Sequence, residues 1–137
     1  MTVAVTVAAV IEQGGRFLVV EELDSLDGGR VLNQPAGHVE LGESVVAAVA
    51  REAFEEAGVQ FVPTAVIGIY HLAARNGHDY LRIAFSGQVS DHHTPTPQDK
   101  DILACYWLTR AEIEQARPRS GLVLRCIDDY LSGQRLP

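Results

Sequence analysis

Acidic side chains are concentrated in one stretch of the sequence, residues 43–59. Glu52, Glu55 and Glu56 fall in a run, residues 44–57, that contains no Gly or Pro and much Ala, so a helix is predicted there. At about 100° per residue the three carboxylates share an arc of roughly 100°. Like charges so close together repel, and Arg51 is placed to neutralise only Glu55, four residues on. The pattern indicates that a cation completes the cluster.

The donor types indicate which cation this would be. The cluster offers carboxylate oxygens without a nearby Cys or a paired His, which favours Mg²⁺, with Mn²⁺ as a substitute, over zinc. Mg²⁺ usually combines a few carboxylates with water and substrate phosphates, so the expected chemistry is that of phosphates. The alternative is a solvated acidic face that binds no metal.

A longer pattern surrounds these glutamates. Gly37, Glu43, the pair Arg51-Glu52, the pair Glu55-Glu56 and Gly58-Val59 are spaced as in the Nudix box, a loop-helix-loop motif that spans 23 residues (37–59). The sequence therefore resembles the Nudix hydrolase family. Residues 32–40, the segment 102–107 and the segments 119–120 and 130–135 resemble the NudJ-type phosphatase branch of that family. Leu32 departs from this branch, which commonly has a tryptophan there.

The resemblance implies a fold, an activity and roles for individual residues. The fold would be an α/β/α sandwich with a mixed sheet between helices, and the activity would be metal-dependent hydrolysis of phosphoanhydrides. Glu52, Glu55, Glu56 and the Gly37 carbonyl would hold the metal, and Glu52 or Glu55 would act as the base. The other expected contributors are Arg51, which orients the glutamates, and Glu43 and Asp101 in support. His71 and Arg82 lie in predicted strands, from which their side chains reach either the substrate or the solvent.

Substrate and product remain open at this level. Nucleoside di- or triphosphates and small pyrophosphates, including hydroxymethylpyrimidine pyrophosphate and thiamine pyrophosphate, are implied by the resemblance to the phosphatase branch. A nucleotide-sugar or ADP-ribose pyrophosphatase is an alternative within the enzyme class. A non-catalytic Nudix module that binds a metabolite is a third possibility, although the complete set of box glutamates argues against it.

The rest of the sequence predicts the elements that position the box. Residues 3–11 and 16–21 are predicted to form a hairpin across Gly14-Gly15, and 65–71 and 80–85 a second one across Asn76-Gly77. Short strands are expected at 31–33 and 102–107. Thr109 and Glu112 predict a capping box that starts a short helix, and a last helix should end at Gly133. The core-facing stripe of the box helix is predicted as Val46, Val49, Ala50, Ala53 and Ala57.

Composition limits the class of protein. The chain of 137 residues is short enough for a single domain, residues 1–137, and its net charge of −7 speaks against nucleic acid and membrane surfaces as partners. The two cysteines form no metal or disulfide pattern, so a cytoplasmic location is expected. The expected partner is a small phosphorylated substrate, and by family resemblance the protein is a homodimer or a monomer. His92 and His93 are expected in a solvated loop.

Overall fold

A computed structural model of the protein describes residues 2–74, 76–90 and 94–136. His92, His93 and the Arg75 end of the predicted turn lie outside these residues. Within them the strands are β1 Val3–Val10, β2 Glu12–Gln13, β3 Arg16–Leu23, β4 Arg30–Asn33, β5 Ala36–His38, β6 Phe61–Ala73, β7 Asp79–Val89 and β8 Ala104–Leu108. The helices are α1 Val45–Ala57, α2 Arg110–Gln115 and α3 Gly121–Leu131.

The strands form two sheets. The first has the order β5-β1-β7-β6, in which β1 runs parallel to β7 and every other pair is antiparallel. In the second, β3 pairs with β2, β4 and β8. The predicted hairpin between β6 and β7 is confirmed, with Ala73 opposite Asp79.

The predicted hairpin of residues 3–11 with 16–21 is wrong in its pairing. From residues 3–13, it is the short β2 that pairs with β3, across Gly14 and Gly15, whose φ angles of 58° and 81° suit glycine. β1 instead lies in the other sheet, between β5 and β7. The chain changes sheets at Ile11, because β1 finds a longer partner in β7, with eight residues in register.

Helices cover the sheets on two sides. α1 packs its small residues Ala48, Val49 and Ala53 against one apolar cluster, which includes Val7 and Phe85 from the first sheet. α3 packs into a second cluster with strand residues from both sheets. The expected α/β/α sandwich with a mixed sheet is therefore confirmed. Phe85 belongs to the first apolar cluster, and the partly buried Trp107 packs against it.

The box helix has both of its predicted ends. The Ser44 hydroxyl accepts a hydrogen bond from the Ala47 amide at 3.0 Å, and Gly58 ends the helix with a φ of 69°. The predicted stripe is partly wrong, since Val46 is 52% exposed whereas Ala48 and Glu52 are buried. The buried arc is centred closer to Glu52 than predicted. The helix is rotated so that part of its acidic face points into the protein.

Two strands differ from their predicted limits. β8 begins at Ala104 rather than at residue 102, because the Ile102 amide donates to the Asp99 carbonyl in a turn. β6 extends back to Phe61 through Pro63, where the register shifts and the missing amide of proline is accommodated. In the part of the chain that the structure describes, no helix is long and apolar enough to span a membrane.

Candidate active site

A cleft of about 740 Å³ opens between α1, the ends of the first sheet and the start of α3. Glu52, Glu55 and Glu56 line one side together with Gly37 and Arg51. The other side carries Arg82, Arg119 and polar residues from strands β3, β4 and β7. The predicted catalytic and metal-binding residues are therefore brought to one cavity.

Arg51 is the centre of the acidic side. Its Nε and Nη2 donate to the two carboxylate oxygens of Glu43 at 2.7 and 2.9 Å, and Nη2 also donates to the His38 carbonyl. Its Nη1 donates to Glu52 at 2.9 Å and to Glu55 at 3.1 Å. Arg51 thus anchors the loop before α1 with one part of its guanidinium and orients two glutamates with the other.

Glu43 has a supporting position. Its carboxylate accepts a hydrogen bond from the Glu40 amide at 3.0 Å in addition to those from Arg51. The bond from Arg51 is the main reason why the pKa of Glu43 is lowered to about 2. Glu43 is therefore ionised at neutral pH and holds Arg51 in place.

Glu52 lies directly beneath the backbone of β5. A Cβ atom added at Gly37 would overlap the carboxyl group of Glu52, so only glycine allows the strand and this side chain to approach so closely. Burial raises the pKa of Glu52, even though Arg51 acts in the opposite direction. The requirement of the motif for glycine at Gly37, fifteen residues before Glu52, therefore has a direct steric reason in this fold.

Glu56 is one turn further along α1 and is less compensated. Its Oε1 accepts a hydrogen bond from the Ala36 amide at 2.9 Å. Burial raises the pKa of Glu56 to about 8, and the nearby charges of Glu22, Glu52 and Asp99 act in the same direction. Arg51 does not reach this carboxylate, so Glu56 is a buried acid that lacks a cation among its hydrogen-bond partners in the described residues.

The carboxylate and carbonyl oxygens of the cleft are of the type that binds a hard divalent cation, although the side chains are not gathered around a common point. Among the described residues, no group of three or more His, Cys, Asp or Glu side chains is close enough to hold a metal ion. In this arrangement Arg51 Nη1 occupies the space between Glu52 and Glu55 as their positive partner. The fit rests on the uncompensated Glu56, the buried Glu52 and the backbone of Gly37 beside them.

The opposite wall is built by strand register. Thr6 of β1 pairs with both His38 of β5 and Arg82 of β7, so these three side chains share one face of the sheet. Tyr80, two residues before Arg82, lies on the same face, and its ring packs edge-on against His38 with centroids 6.0 Å apart. This row forms a floor that continues from the acidic side of the cleft.

Arg82 is buried in this floor, with an exposure of 8%. Its Nη1 donates to Gln34 Oε1 at 2.9 Å and its Nη2 to Asn33 Oδ1 at 3.0 Å. Gln34 in turn donates to the Val123 carbonyl of α3 at 2.8 Å. The network fixes the guanidinium group at the cleft and ties the first sheet to β4 and α3.

Two predicted site residues are not brought to the cleft. The side chain of His71 is 60% exposed and faces Asp79, with its Nε2 3.6 Å from the carboxylate, because the alternation of β6 points it away from the floor. Asp101 is exposed and does not line the cavity. The loop carboxylate whose charge acts on Glu52 and Glu56 is that of Asp99.

Several lining residues were not found from the sequence. The cleft is also lined by Asn33, Glu22 and Tyr80. Tyr80 comes to it through the pairing of β7 with the distant β1, and Asn33 and Glu22 through the pairing of β3 with β4, so no helical spacing in the sequence predicts them. Leu32, the departure from the phosphatase branch, is buried in the second apolar cluster and does not line the cleft. The departure therefore alters the packing behind the wall.

The chain is similar to known proteins both in sequence and in structure. A family model described as the NUDIX domain matches residues 1–125. The chain is 42% identical over 134 residues to "Phosphatase NudJ" of Escherichia coli strain K12, a match that covers 97% of this chain and 86% of the relative. A NUDIX hydrolase structure from Nitrosomonas europaea aligns with a TM-score of 0.91 at 45% identity and covers 99% of this chain and 93% of its own.

A more distant structure supports the fold alone. An ADP-ribose pyrophosphatase from Streptococcus suis aligns with a TM-score of 0.72 at 19% identity, over 94% of this chain and 92% of its own. The family model matches most of the chain, and the box residues lie together in one cleft. Both observations assign the chain to the same family. The chain belongs to the Nudix hydrolase family and is a phosphohydrolase or pyrophosphatase.

Proposed function

We propose that the protein is a divalent-metal-dependent hydrolase of phosphoanhydride bonds in nucleoside di- and triphosphates or small pyrophosphates. Hydroxymethylpyrimidine pyrophosphate and thiamine pyrophosphate are candidate substrates because the sequence resembles the phosphatase branch. Release of orthophosphate is the expected outcome, since the curated relative at 42% identity is named a phosphatase.

The observation that carries this proposal is the burial of carboxylates in an open cleft. The side chain of Glu52 is 12% exposed, and Glu56 is held at a pKa of about 8 by burial. Burial of a carboxylate costs free energy, most of all at Glu56, which Arg51 does not reach, so a fold that keeps such an acid usually neutralises it with a proton or a cation. A phosphoanhydride substrate brings its own negative charge, which only a cation makes compatible with this wall.

The metal would be held by Glu52, Glu56 and the carbonyl oxygen of Gly37, so that Glu55 beside them is left for proton transfer. Mg²⁺ is the expected ion, with Mn²⁺ as a substitute, because every one of these ligand atoms is an oxygen. When bound, the ion supplies positive charge that draws electrons from the phosphoryl oxygens and makes phosphorus easier to attack.

The protein's own groups orient this chemistry. Arg51 fixes Glu52 and Glu55 through Nη1 while Glu43 fixes Arg51 through Nε and Nη2. The side chain of Glu55 is 43% exposed and that of Glu52 is 12% exposed, so Glu55 is the more accessible to water. We therefore propose Glu55, rather than Glu52, as the base that accepts the proton of the attacking water.

The contact residues for substrate follow from the geometry of the opposite wall. Of the two residues predicted from the sequence, Arg82 lines the cleft and is proposed to contact the substrate. His71 is not carried into the proposal because it faces Asp79 outside the cavity. Asp101 is likewise replaced by Asp99 as the loop carboxylate that influences the glutamates.

Calorimetric titration of Mg²⁺ and Mn²⁺ into metal-free protein tests the metal site without relying on turnover. Glu56→Gln should weaken binding by roughly tenfold or more, since it removes an anionic ligand. Glu114→Gln is a matched control, because Glu114 is an exposed helical glutamate that pairs with Arg110 outside the cleft. Equal affinity in all three proteins would contradict the proposed metal site.

A further inference from the structure

Acidic groups outnumber basic groups along the cleft. Among the described residues, six carboxylates and three guanidinium groups line it: Glu22, Asp24, Glu40, Glu52, Glu55 and Glu56 against Arg51, Arg82 and Arg119. An anionic substrate is repelled by most of this wall. A second anionic group of the substrate therefore needs an arginine side chain that is available to bind it.

The arginines differ in their ion pairs. Arg51 lies within 3.6 Å of four carboxylates, those of Glu40, Glu43, Glu52 and Glu55. Arg119 Nη1 is 2.9 Å from Glu22 Oε1. In the described parts of the chain, Arg82 makes no ion pair with a carboxylate. Arg82 is therefore the cleft arginine whose charge is uncommitted.

Among the described residues, Arg82 has no directly paired carboxylate, although the charge of the nearby Glu22 acts on its guanidinium group. Its guanidinium group donates to the neutral side-chain amides of Gln34 and Asn33, and it also has a hydrogen bond with the side chain of Cys126. The neighbouring thiol of Cys126 is also neutral, because burial raises its pKa. Burial lowers the pKa of Arg82 itself, which shows the cost of keeping the cation there. A buried charge is normally retained only where a partner neutralises it.

The structure places further anion-binding groups on the same side. Arg119 and Ser120 line the cleft next to the first residue of α3, Gly121. α3 has 11 residues, and the amino end of a helix carries partial positive charge. A Cβ added at Gly121 would meet no atom within 4 Å, so there is open space in front of this end. Space and positive potential thus coincide beside Arg82.

We propose that Arg82, assisted by Arg119 and the first turn of α3, binds a second oxyanion of the substrate, the terminal phosphoryl group remote from the glutamates. The inference rests on the proposed function. A guanidinium group recognises a phosphate through paired, charge-assisted hydrogen bonds, which a neutral group cannot replace. The enzyme should therefore favour substrates with a free terminal phosphate over capped pyrophosphates such as ADP-ribose, in which both phosphates are esterified.

Binding of inorganic phosphate to the metal-free protein tests the subsite directly. Phosphate should raise the melting temperature in a saturable manner, beyond the effect of chloride at equal ionic strength. Arg82→Met should bind phosphate roughly tenfold or more weakly, because it loses charge-assisted hydrogen bonds. Arg16→Gln should behave as wild type, since this exposed arginine pairs with Glu112 away from the cleft.

A second variant covers the case in which Arg82→Met does not fold. Arg119→Gln leaves the bonds of Arg82 to Gln34 and Asn33 in place, and it should weaken phosphate binding by a smaller factor. It should also lower kcat/KM for a nucleoside diphosphate more than for ADP-ribose, because only the former offers a free terminal phosphate.

The outcomes separate this inference from the proposed function. Phosphate binding that is absent in wild type, or unchanged in both Arg82→Met and Arg119→Gln, would overturn the subsite. Phosphate binding that these variants weaken supports it, even if no anhydride is hydrolysed with Mg²⁺. That last result would instead count against the proposed function.

Discussion

At the scale of single residues, the site depends on carboxylates that are kept where water screens them poorly. Glu52 and Glu56 come from the buried arc of α1, and the backbone of β5 lies over them. Arg51 compensates Glu52 and Glu55, whereas the hydrogen-bond donor to Glu56 within the described residues is the backbone amide of Ala36. The least compensated residue is thus the one whose protonation should respond most to pH and to metal.

This difference predicts a pH dependence of stability in the metal-free protein. The pKa of Glu56 is about 8 when folded against an ordinary value of 4.5, so between these pH values the folded state binds a proton that the unfolded state lacks. Stability should therefore fall as pH rises, by up to about 1.4 kcal/mol per pH unit from this group. Urea unfolding of wild type and Glu56→Gln at several pH values would measure the difference.

Glu56→Gln isolates the contribution of this one residue, since other titrating groups are shared by both proteins. The variant should be the more stable protein at pH 8, and the gap should close towards pH 5. Protonation of Glu43, whose pKa is about 2, lowers the stability only at pH values below this range. Parallel stability curves for the two proteins from pH 5 to 8 would show that Glu56 is ionised throughout.

Gly37 provides a second test at this scale. A methyl group at this position would collide with the Glu52 carboxyl group, so Gly37→Ala should displace Glu52 and leave the Gly37 carbonyl in the chain. We expect hydrolysis to fall by about a hundredfold, because misplacing a catalytic group by about 1 Å has that effect. The measurement is kcat/KM at saturating Mg²⁺.

Gly29→Ala is the matched control for this glycine. The added Cβ would meet mainly the end of the Arg117 side chain, which is long and can move aside. Activity near that of wild type is expected for Gly29→Ala. If both variants lost activity equally, the close approach of Gly37 to Glu52 would not be the cause.

At the scale of elements, local sequence signals predicted the helices. The pairings between strands that are distant in the chain were not predicted. The ends of α1 are predicted by Ser44 and Gly58, because capping involves residues within one turn. Thr109 and Glu112 likewise form the predicted capping box of α2. The pairing of β1 with β7 joins residues more than 70 positions apart, so the sequence pattern could show that β1 is a strand but not which strand it pairs with.

The same distinction applies to the candidate site. The glutamates were predicted because they lie on one helix, where spacing determines position. Asn33, Tyr80 and Glu22 come from three different strands, and only the register of the sheets brings them together. Residue type alone suggests His71 and Asp101. The structure places His71 beside Asp79 and Asp101 in a turn with Asp99, both outside the cleft.

The end of α1 offers a prediction at the element scale. Gly58 and Gly133 both have left-handed φ angles, 69° and 87°, so alanine should cost about 1 kcal/mol or more at either position. An added Cβ at Gly58 would also lie 2.6 Å from the Thr96 carbonyl oxygen, whereas at Gly133 it meets nothing within 4 Å. Gly58→Ala should therefore destabilise the protein more than Gly133→Ala in urea unfolding.

The additional cost reflects how the loop after β7 is attached. The Thr96 amide donates to the Ala57 carbonyl at 2.8 Å, and those of Gln98 and Asp99 donate to the Glu55 carbonyl. Moving Thr96 disturbs these bonds at the end of the helix that carries the glutamates. Equal free energies of unfolding for the two variants would mean that Thr96 moves away from the added methyl group without loss of stability.

At the scale of the whole molecule, two apolar clusters meet across the same strands. β1 and β3 contribute alternate side chains to both clusters, Val7 and Leu18 to one and Val10 and Phe17 to the other. Shared strands couple the packing of α1 to that of α3. We therefore propose that the chain folds as one domain and that its unfolding is cooperative.

Cooperativity is measurable with two probes on the metal-free protein. Trp107 is the lone tryptophan and packs against the first cluster, while far-ultraviolet circular dichroism reports all three helices. The two signals should give the same urea midpoint. A fluorescence transition that clearly precedes the loss of ellipticity would contradict a single cooperative unit.

The central claim is that the glutamates of α1 form a metal-dependent centre that hydrolyses phosphoanhydrides. Phosphorus NMR tests it most directly, with Mg²⁺ and a panel of nucleoside di- and triphosphates, thiamine pyrophosphate and ADP-ribose. The account predicts orthophosphate from substrates with a free terminal phosphate, lost on chelation of the metal and in Glu56→Gln, and retained in Glu114→Gln. Hydrolysis that persists undiminished in Glu56→Gln or after chelation would contradict it.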